Sequence, residues 1–455
     1  MRIMTSVARQ IRRRVIGLTG FVLVASSSIA GATEPDWSLC AASTTDPDAG
    51  VAACSAVIDA GDARGRNLAI AFFNRGNAWS AKGSFAEAID DFDQSIRLDP
   101  DAAKAFYNRG LAWTALGQLD RAVTDFGIAI GLDTSFAYAY GSRGVALFAQ
   151  GEHDRALADF DQALSLAPGD ARPLILRGIV RQAKGELAPA IADFDRAIAL
   201  EPDAAAGWNE RGSARVAAGD PDRALGDFDQ AIRLDPKSFR IYINRGNAWL
   251  AKGDVERAIA DYEQAMRLEP TSAAPYVQRG QARQAKGELD RAIGDYDQAL
   301  KLSPRVAVAF GNRANAWLAK GQVDRALADY DEALALDPHL PNAYANRARA
   351  RRTKGDLAGA LSDLTEAIRL DPRDSRNYNS RAWTHQLAGR DADGMADAEQ
   401  AIALDPANAD AFDTRGRIYM KLGLQEKAAA DLKHAIALNP GLRETADALR
   451  RLGTR

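Results

Sequence analysis

Two short apolar stripes alternate along most of the chain, each with the spacing of one helix face. In residues 69–102 the first stripe holds Phe72 and the small Gly76, and the second holds Ala88, Phe92 and Ile96. Steps of three and four residues put such side chains on one side of a helix. In residues 205–238 the second stripe reads Ala224, Phe228 and Ile232. The pair of stripes returns every 34 residues as far as 409–442, so eleven units agree in phase without an insertion. A fixed period of this size predicts a repeat array rather than a globular enzyme domain.

Punctuation between the stripes keeps the same step. Glycine recurs from Gly83 to Gly423, where it suits the left-handed conformation that closes a first helix. Proline stands at Pro100 and again from Pro168 to Pro440, with Thr134 out of line, and stops each second helix. Position 4 of a unit, counted from residue 69, is aromatic in ten of eleven units, with Leu174 the exception. The small residue four places on, as in Gly110, Gly246 or Ala314, lets a second helix approach closely.

Each unit therefore reads as helix–turn–helix, and the string FRIYINRGNAWLAKGDVERAIADYEQAMRLEPTS of residues 239–272 resembles a tetratricopeptide repeat. Its Tyr242, Gly246, Trp249, Ala258, Tyr262, Ala265 and Pro270 fall on that family's signature positions. The resemblance covers residues 69–442. It implies an all-α fold, a right-handed superhelical solenoid whose first helices line a concave groove for peptides or partner helices. The departures are Arg at position 7, where the family has leucine, and Arg181, Arg215, Arg283 and Arg351, where it prefers an aromatic. Ala398 replaces the second-helix aromatic in the tenth unit. Those units are expected to pack less tightly.

The ends differ from the array. Residues 1–32 carry five arginines and no acid, then an apolar run from Val15 to Ala25 broken by Ser26, Ser27 and Ser28. This reads as a secretory signal peptide, cleaved after Ala30 or Ala32, rather than a membrane anchor. The expected location is outside the cytoplasm, periplasmic or secreted, with no transmembrane span in the mature chain. Residues 33–68 hold both cysteines, Cys40 and Cys54. In an exported protein such a pair reads as a structural disulfide. No histidine stands near enough to complete a zinc site, and the gap is not that of the short redox motif. The stretch 48–60 looks like a lone second helix, with Gly50, Cys54 and Ile58 on its packing stripe, stapled by the bridge as a cap on the first unit. Residues 443–455 are expected to supply a closing helix, with Leu442, Ala446, Leu449 and Leu452 on one face.

Charge narrows the partner. Without residues 1–32 the chain has 53 basic and 61 acidic residues, net −8, with no basic domain or tail, which disfavours nucleic acid. The most regular charges are Arg75 to Arg415 at position 7 and Asp91 to Asp431 at position 23, eleven of each. Both lie beside core-facing residues, and a guanidinium is rarely buried alone. Matched numbers point to Arg–Asp pairs, within a unit or across to its neighbour, rather than to a positive stripe for an anion.

No catalytic constellation is visible. His153, His339, His385 and His434 fall in different units and phases, no two at metal-ligand spacing, and no cofactor motif is present. A binding or scaffolding role follows, with a protein or peptide partner. A regulatory or assembly subunit for an envelope polysaccharide or peptidoglycan enzyme is the alternative. In the resembling family the groove positions are 2, 5, 6, 9, 12 and 13. Position 6 is often asparagine here, as in Asn74, Asn108 and Asn244, and position 9 repeats it in Asn77 and Asn247. Asparagine offers a peptide backbone both donor and acceptor; plain duplication of the string NRGNAW explains it equally. The sharpest candidate is the first helix of the ninth unit, PNAYANRARARRTKG. Its Arg349 and Arg352 fall on groove positions beside Asn346, with Asn312 and Asn315 one unit earlier and Asn379 and Trp383 one unit later. Asparagines flanked by cations resemble the carboxylate clamp of some family members. The competing reading is a solvated basic helix balanced by acids on the convex side.

Overall fold

The computed structural model describes residues 35–41 and 44–453. The stretch read as a signal peptide lies outside the described residues. Every regular element among the described residues is a helix, and there are twenty-five of them. The array falls into two compact blocks, one ending at Lys237 and one beginning at Ser238.

In the first block, helices Pro35–Ala41 and Pro47–Asp59 precede five helix pairs. The first helices are Gly65–Ala81, Ala103–Ala115, Ala137–Gln150, Ala171–Lys184 and Ala205–Ala217. Their second helices are Phe85–Leu98, Leu119–Leu132, His153–Leu166, Leu187–Leu200 and Pro221–Leu234. The opening helix of the array starts four residues ahead of the periodic boundary at 69, because no proline stop precedes it. The second block holds six pairs and a closing helix, Arg443–Gly453. Its first helices run Phe239–Ala251, Ala274–Ala285, Ala307–Ala319, Pro341–Thr353, Ser375–Leu387 and Ala409–Lys421. Each packs on its own second helix, and within a block that helix packs on the next pair, as in a solenoid.

The period has a mechanical cause in the closeness of the two helices. All eleven turn glycines have φ between 74° and 92°, which a side chain would strain. A Cβ built on Gly76 would lie 2.7 Å from Cε1 of Phe92, and the same conflict recurs at Gly110, Gly178 and Gly212. The aromatics under these glycines, Phe92, Phe126, Phe194 and Phe228, are fully buried. Tyrosine takes their place in the sixth to eighth units, and its hydroxyl then needs a partner. Tyr262 donates to Asn247 Oδ1 at 2.8 Å and Tyr330 to Asn315 Oδ1 at 2.6 Å.

Cys40 and Cys54 are bonded, both wholly buried, and join the two helices ahead of the array. The buried stripe of the second of these is Gly50, Ala53, Cys54 and Val57; Ile58 is only half-buried at its edge. The closing helix is also rotated from expectation: Thr445 and Ala448 are its buried residues, with Ala446, Leu449 and Leu452 half-buried beside them. The polar Thr445 took the inner place because a small side chain fits close against the preceding helix, Gln425–Leu438.

Candidate functional site

The arginine–aspartate ladder serves packing in both of the ways left open. In all eleven units the position 7 arginine reaches its own unit's aspartate through Nε and Nη2. This forked geometry suits a guanidinium and a carboxylate. In at least six units the remaining Nη1 crosses the seam to an acid of the preceding unit. Arg177 reaches Asp161 at 2.6 Å, Arg211 reaches Asp195 at 2.6 Å and Arg347 reaches Asp331 at 2.6 Å. Arg381 meets Thr365 there instead, and Arg143 faces Gly127. The bonded aspartates push the pKa of Arg75, Arg177 and Arg313 up, against the opposing effect of burial. Each ladder arginine also lies over the position 4 aromatic of its unit where there is one, as Arg211 does over Trp208 at 4.7 Å. These cations are spoken for, and no anion stripe remains. The seam acids at position 25 recur in the sequence, from Asp93 and Asp161 to Asp331, so this contact was legible there.

Units in which arginine stands for the aromatic at position 11 use it to extend the ladder. Arg181 donates to Asp193 at 2.8 Å, Arg215 to Asp227 at 2.7 Å and Arg283 to Asp295 at 2.9 Å. Arg351 pairs with Asp363 at 3.0 Å. The aromatic units solve the same place differently, stacking Arg121 on Trp113, Arg257 on Trp249 and Arg325 on Trp317. The expected loosening is thus offset by a second charge-assisted bond on one carboxylate.

The seven groove candidates divide by what they already hold. Asn346 Nδ2 donates to Asn315 Oδ1 at 2.9 Å, so these two serve the seam between units, as Asn108 and Asn77 do at 2.7 Å. Asn312 Nδ2 and Asn379 Oδ1 are buried and take no hydrogen bond. Arg349 is exposed and near Tyr330. Arg352 is half-buried, with long bonds of 3.3 Å to Thr384 Oγ1 and 3.5 Å to the Ser380 carbonyl. Neither arginine has a carboxylate partner among the described residues. Burial, with Arg349 beside it, pushes the Arg352 pKa down, opposite to the ladder arginines. Trp383 is half-buried under the guanidinium of Arg417 at 5.6 Å, and Arg417 is itself held by Asp413 at 2.7 Å. Arg417 was missed in the sequence, although it shares position 9 with Arg349 and Trp383.

Family models of the tetratricopeptide repeat match residues 137–170, 175–225, 209–273, 277–341, 341–374 and 409–442, and a TPR repeat model matches 76–113. The chain belongs to the tetratricopeptide repeat family. No curated protein matches it. Among solved structures it is similar to a chain of the APC/C hetero-tetramer Cut9–Hcn1, at 13% identity and a TM-score of 0.51, over 92% of this chain and 96% of that one. A tetratricopeptide repeat protein from Parabacteroides merdae is 21% identical with a TM-score of 0.48, over 54% of this chain and 97% of that one. Yeast Tom70 is 16% identical with a TM-score of 0.45, over 85% and 95%. The first of these likenesses is one of fold.

The tetratricopeptide groove also holds a cavity that the sequence reading overlooked, of about 260 Å³, in the second to fourth units. Tyr107, Leu111, Tyr138, Gly141, Ile175 and Leu176 line it, all on groove positions 2, 5, 6 and 9. Gly141 makes the space. It stands at position 5, where the neighbouring units have Tyr107 and Ile175, and a Cβ there would meet nothing within 4 Å. A glycine out of phase with the repeated Gly144 of the same helix was the available signal. Among the described residues no metal-holding cluster occurs, and no helix is long and apolar enough to cross a membrane.

Proposed function

We propose that this tetratricopeptide array is a non-catalytic binding module of the cell envelope that takes extended peptide segments along the groove of its first helices. The observation that carries the reading is the pair Arg349 and Arg352. Elsewhere in the array the half-buried ladder arginines are forked onto carboxylates; here two neighbouring guanidiniums lack one, and burial depresses the pKa of Arg352. An anionic group placed between them relieves that repulsion and gains charge-assisted hydrogen bonds. A peptide's acidic side chain or terminal carboxylate fits, with Asn312 and Asn379 as adjacent polar groups and Trp383 as an apolar one. The location outside the cytoplasm rests on the composition of residues 1–32.

The test is an Arg349→Gln, Arg352→Gln double variant, used to capture partners from the exported compartment and to titrate an acidic peptide. The expected result is an unchanged helical spectrum, at least tenfold weaker binding and a flatter salt dependence. A natural partner held with unchanged affinity and salt dependence places the site elsewhere.

A further inference from the structure

The cavity in the second to fourth units is a different feature from the arginine pair, and its chemistry differs. Its size decides what class of occupant it fits. It exceeds the ~150 Å³ apolar cavity that accepts a benzene ring. It falls short of the roughly 300–1,000 Å³ typical of drug-sized ligands and cofactors. One large side chain is the matching volume.

The walls choose among side chains. Leu111, Ile175 and Leu176 are apolar, and two rings, Tyr107 and Tyr138, flank the space. Tyr107 is buried and already packs on Phe126 and Phe136, with centroids at 5.7 and 4.8 Å. Tyr138 is 44% exposed, a large ring left to water at the mouth. Rings gain from tilted or offset contact with another ring beyond the area they bury. Tyr107 Oη and Ser142 Oγ, 3.3 Å apart, add one polar point within reach of an indole N–H or a phenol. Burial pushes the Tyr107 hydroxyl pKa up, so that point is uncharged.

Charge on the walls is confined to one ion pair, Asp170 and Arg172. Asp170 takes both Nε and Nη2 of Arg172, at 3.0 and 2.6 Å, and the Arg172 backbone N–H at 2.9 Å. Its carboxylate is largely covered, with 18% of its side chain exposed against 46% for Arg172. The outward face of this pair is therefore the cation, which lies over the Tyr138 ring at 5.1 Å. Lys104 is exposed at the position in the preceding unit that Tyr138 holds in its own.

We propose that this cavity seats one aromatic side chain of an extended partner segment, and that an acidic residue next to it in that segment faces Arg172 and Lys104. The inference rests on the reading of the groove as a peptide-binding surface. Gly141 provides a clean test, since leucine there fills the cavity from an open helical position and improves helix propensity.

Random linear peptides are selected on the whole mature chain and on its Gly141→Leu variant. A selected peptide is then titrated against both, together with its aromatic-to-alanine and acid-to-amide analogues. The expected outcome is enrichment of an aromatic beside Asp or Glu on the parent chain. Affinity should fall at least tenfold with Gly141→Leu or with the alanine analogue. Arg172→Gln, a milder change in the ion pair on the cavity wall, should weaken binding and flatten its salt dependence. Selected peptides without an aromatic, or equal binding to Gly141→Leu of unchanged helical content, overturn the inference. So does N-acetyltryptophanamide binding as tightly as the peptide, which assigns the cavity to small ring compounds. Peptides that depend on Arg349 and Arg352 but not on Gly141 sink the cavity alone. An absence of any peptide binding sinks the groove reading as well.

Discussion

Replacing Asp227 by alanine isolates the ladder's worth in one place. The Asp227 side chain is 3% exposed and accepts from Arg211 Nε at 3.1 Å, Arg211 Nη2 at 2.6 Å and Arg215 Nη1 at 2.7 Å. Its loss strands Arg215, whose side chain is 21% exposed, and leaves Arg211 holding only Asp195. Removing one partner of a buried pair costs about 3–5 kcal/mol. Both arginines keep some contact with water and Arg211 keeps one acid, so the expected loss is at the lower end, near ~3 kcal/mol. Asp227→Asn, which keeps the shape but not the charge, should fall between. The exposed Asp203→Ala is the control and should stay within about 0.5 kcal/mol. Denaturant unfolding followed by circular dichroism reads the global change. Hydrogen exchange in 205–234 localises it, which matters because long arrays depart from all-or-none unfolding. Substituting apolar residues for Asp227, Arg211 and Arg215 together should recover much of the loss. A loss for Asp227→Ala no larger than for Asp203→Ala would refute the argument and make the ladder a solvated ornament.

Three further outcomes follow from packing and titration. Gly212→Ala should destabilise by about 1–3 kcal/mol in the same unfolding assay, since its Cβ would lie 2.8 Å from Cε1 of the fully buried Phe228. The protein analysed by mass without reductant should show no free thiol; reduction or a Cys40→Ser, Cys54→Ser variant should speed exchange in 47–59 while leaving the distal units unchanged. Burial holds the His385 pKa below its ordinary value despite Asp397 nearby. That imidazole stays neutral in the folded chain while its unfolded counterpart gains a proton as pH falls below about 6.5, so stability is lost on acidification. His385→Gln should therefore lose less stability between pH 7 and pH 5 than the parent chain, and equal slopes would remove His385 from the account.

The period alone determined most of the architecture. A helix pair joined by a glycine turn and ended by proline is a local property, and eleven copies in phase leave no room for another topology. The close helix approach was legible in the same way, from Gly76 and its equivalents, because only a missing side chain admits Phe92 at that distance. Tertiary structure decided where the polar atoms spend their bonds. Asn315 and Asn346 read as ligand-binding groups in one dimension, yet their amides meet across a seam that exists only once units stack. Arg351 read as a gap in the packing, yet a carboxylate twelve residues away reaches it through the fold. Nor does Gly141 by itself announce a cavity, since Gly311 also stands at position 5: the space belongs to three first helices at once, and it opens because the side chain missing there faces neighbours that do not fill it. Periodicity records what each unit does for itself; a binding site depends on what adjacent units leave unfilled and unpaired.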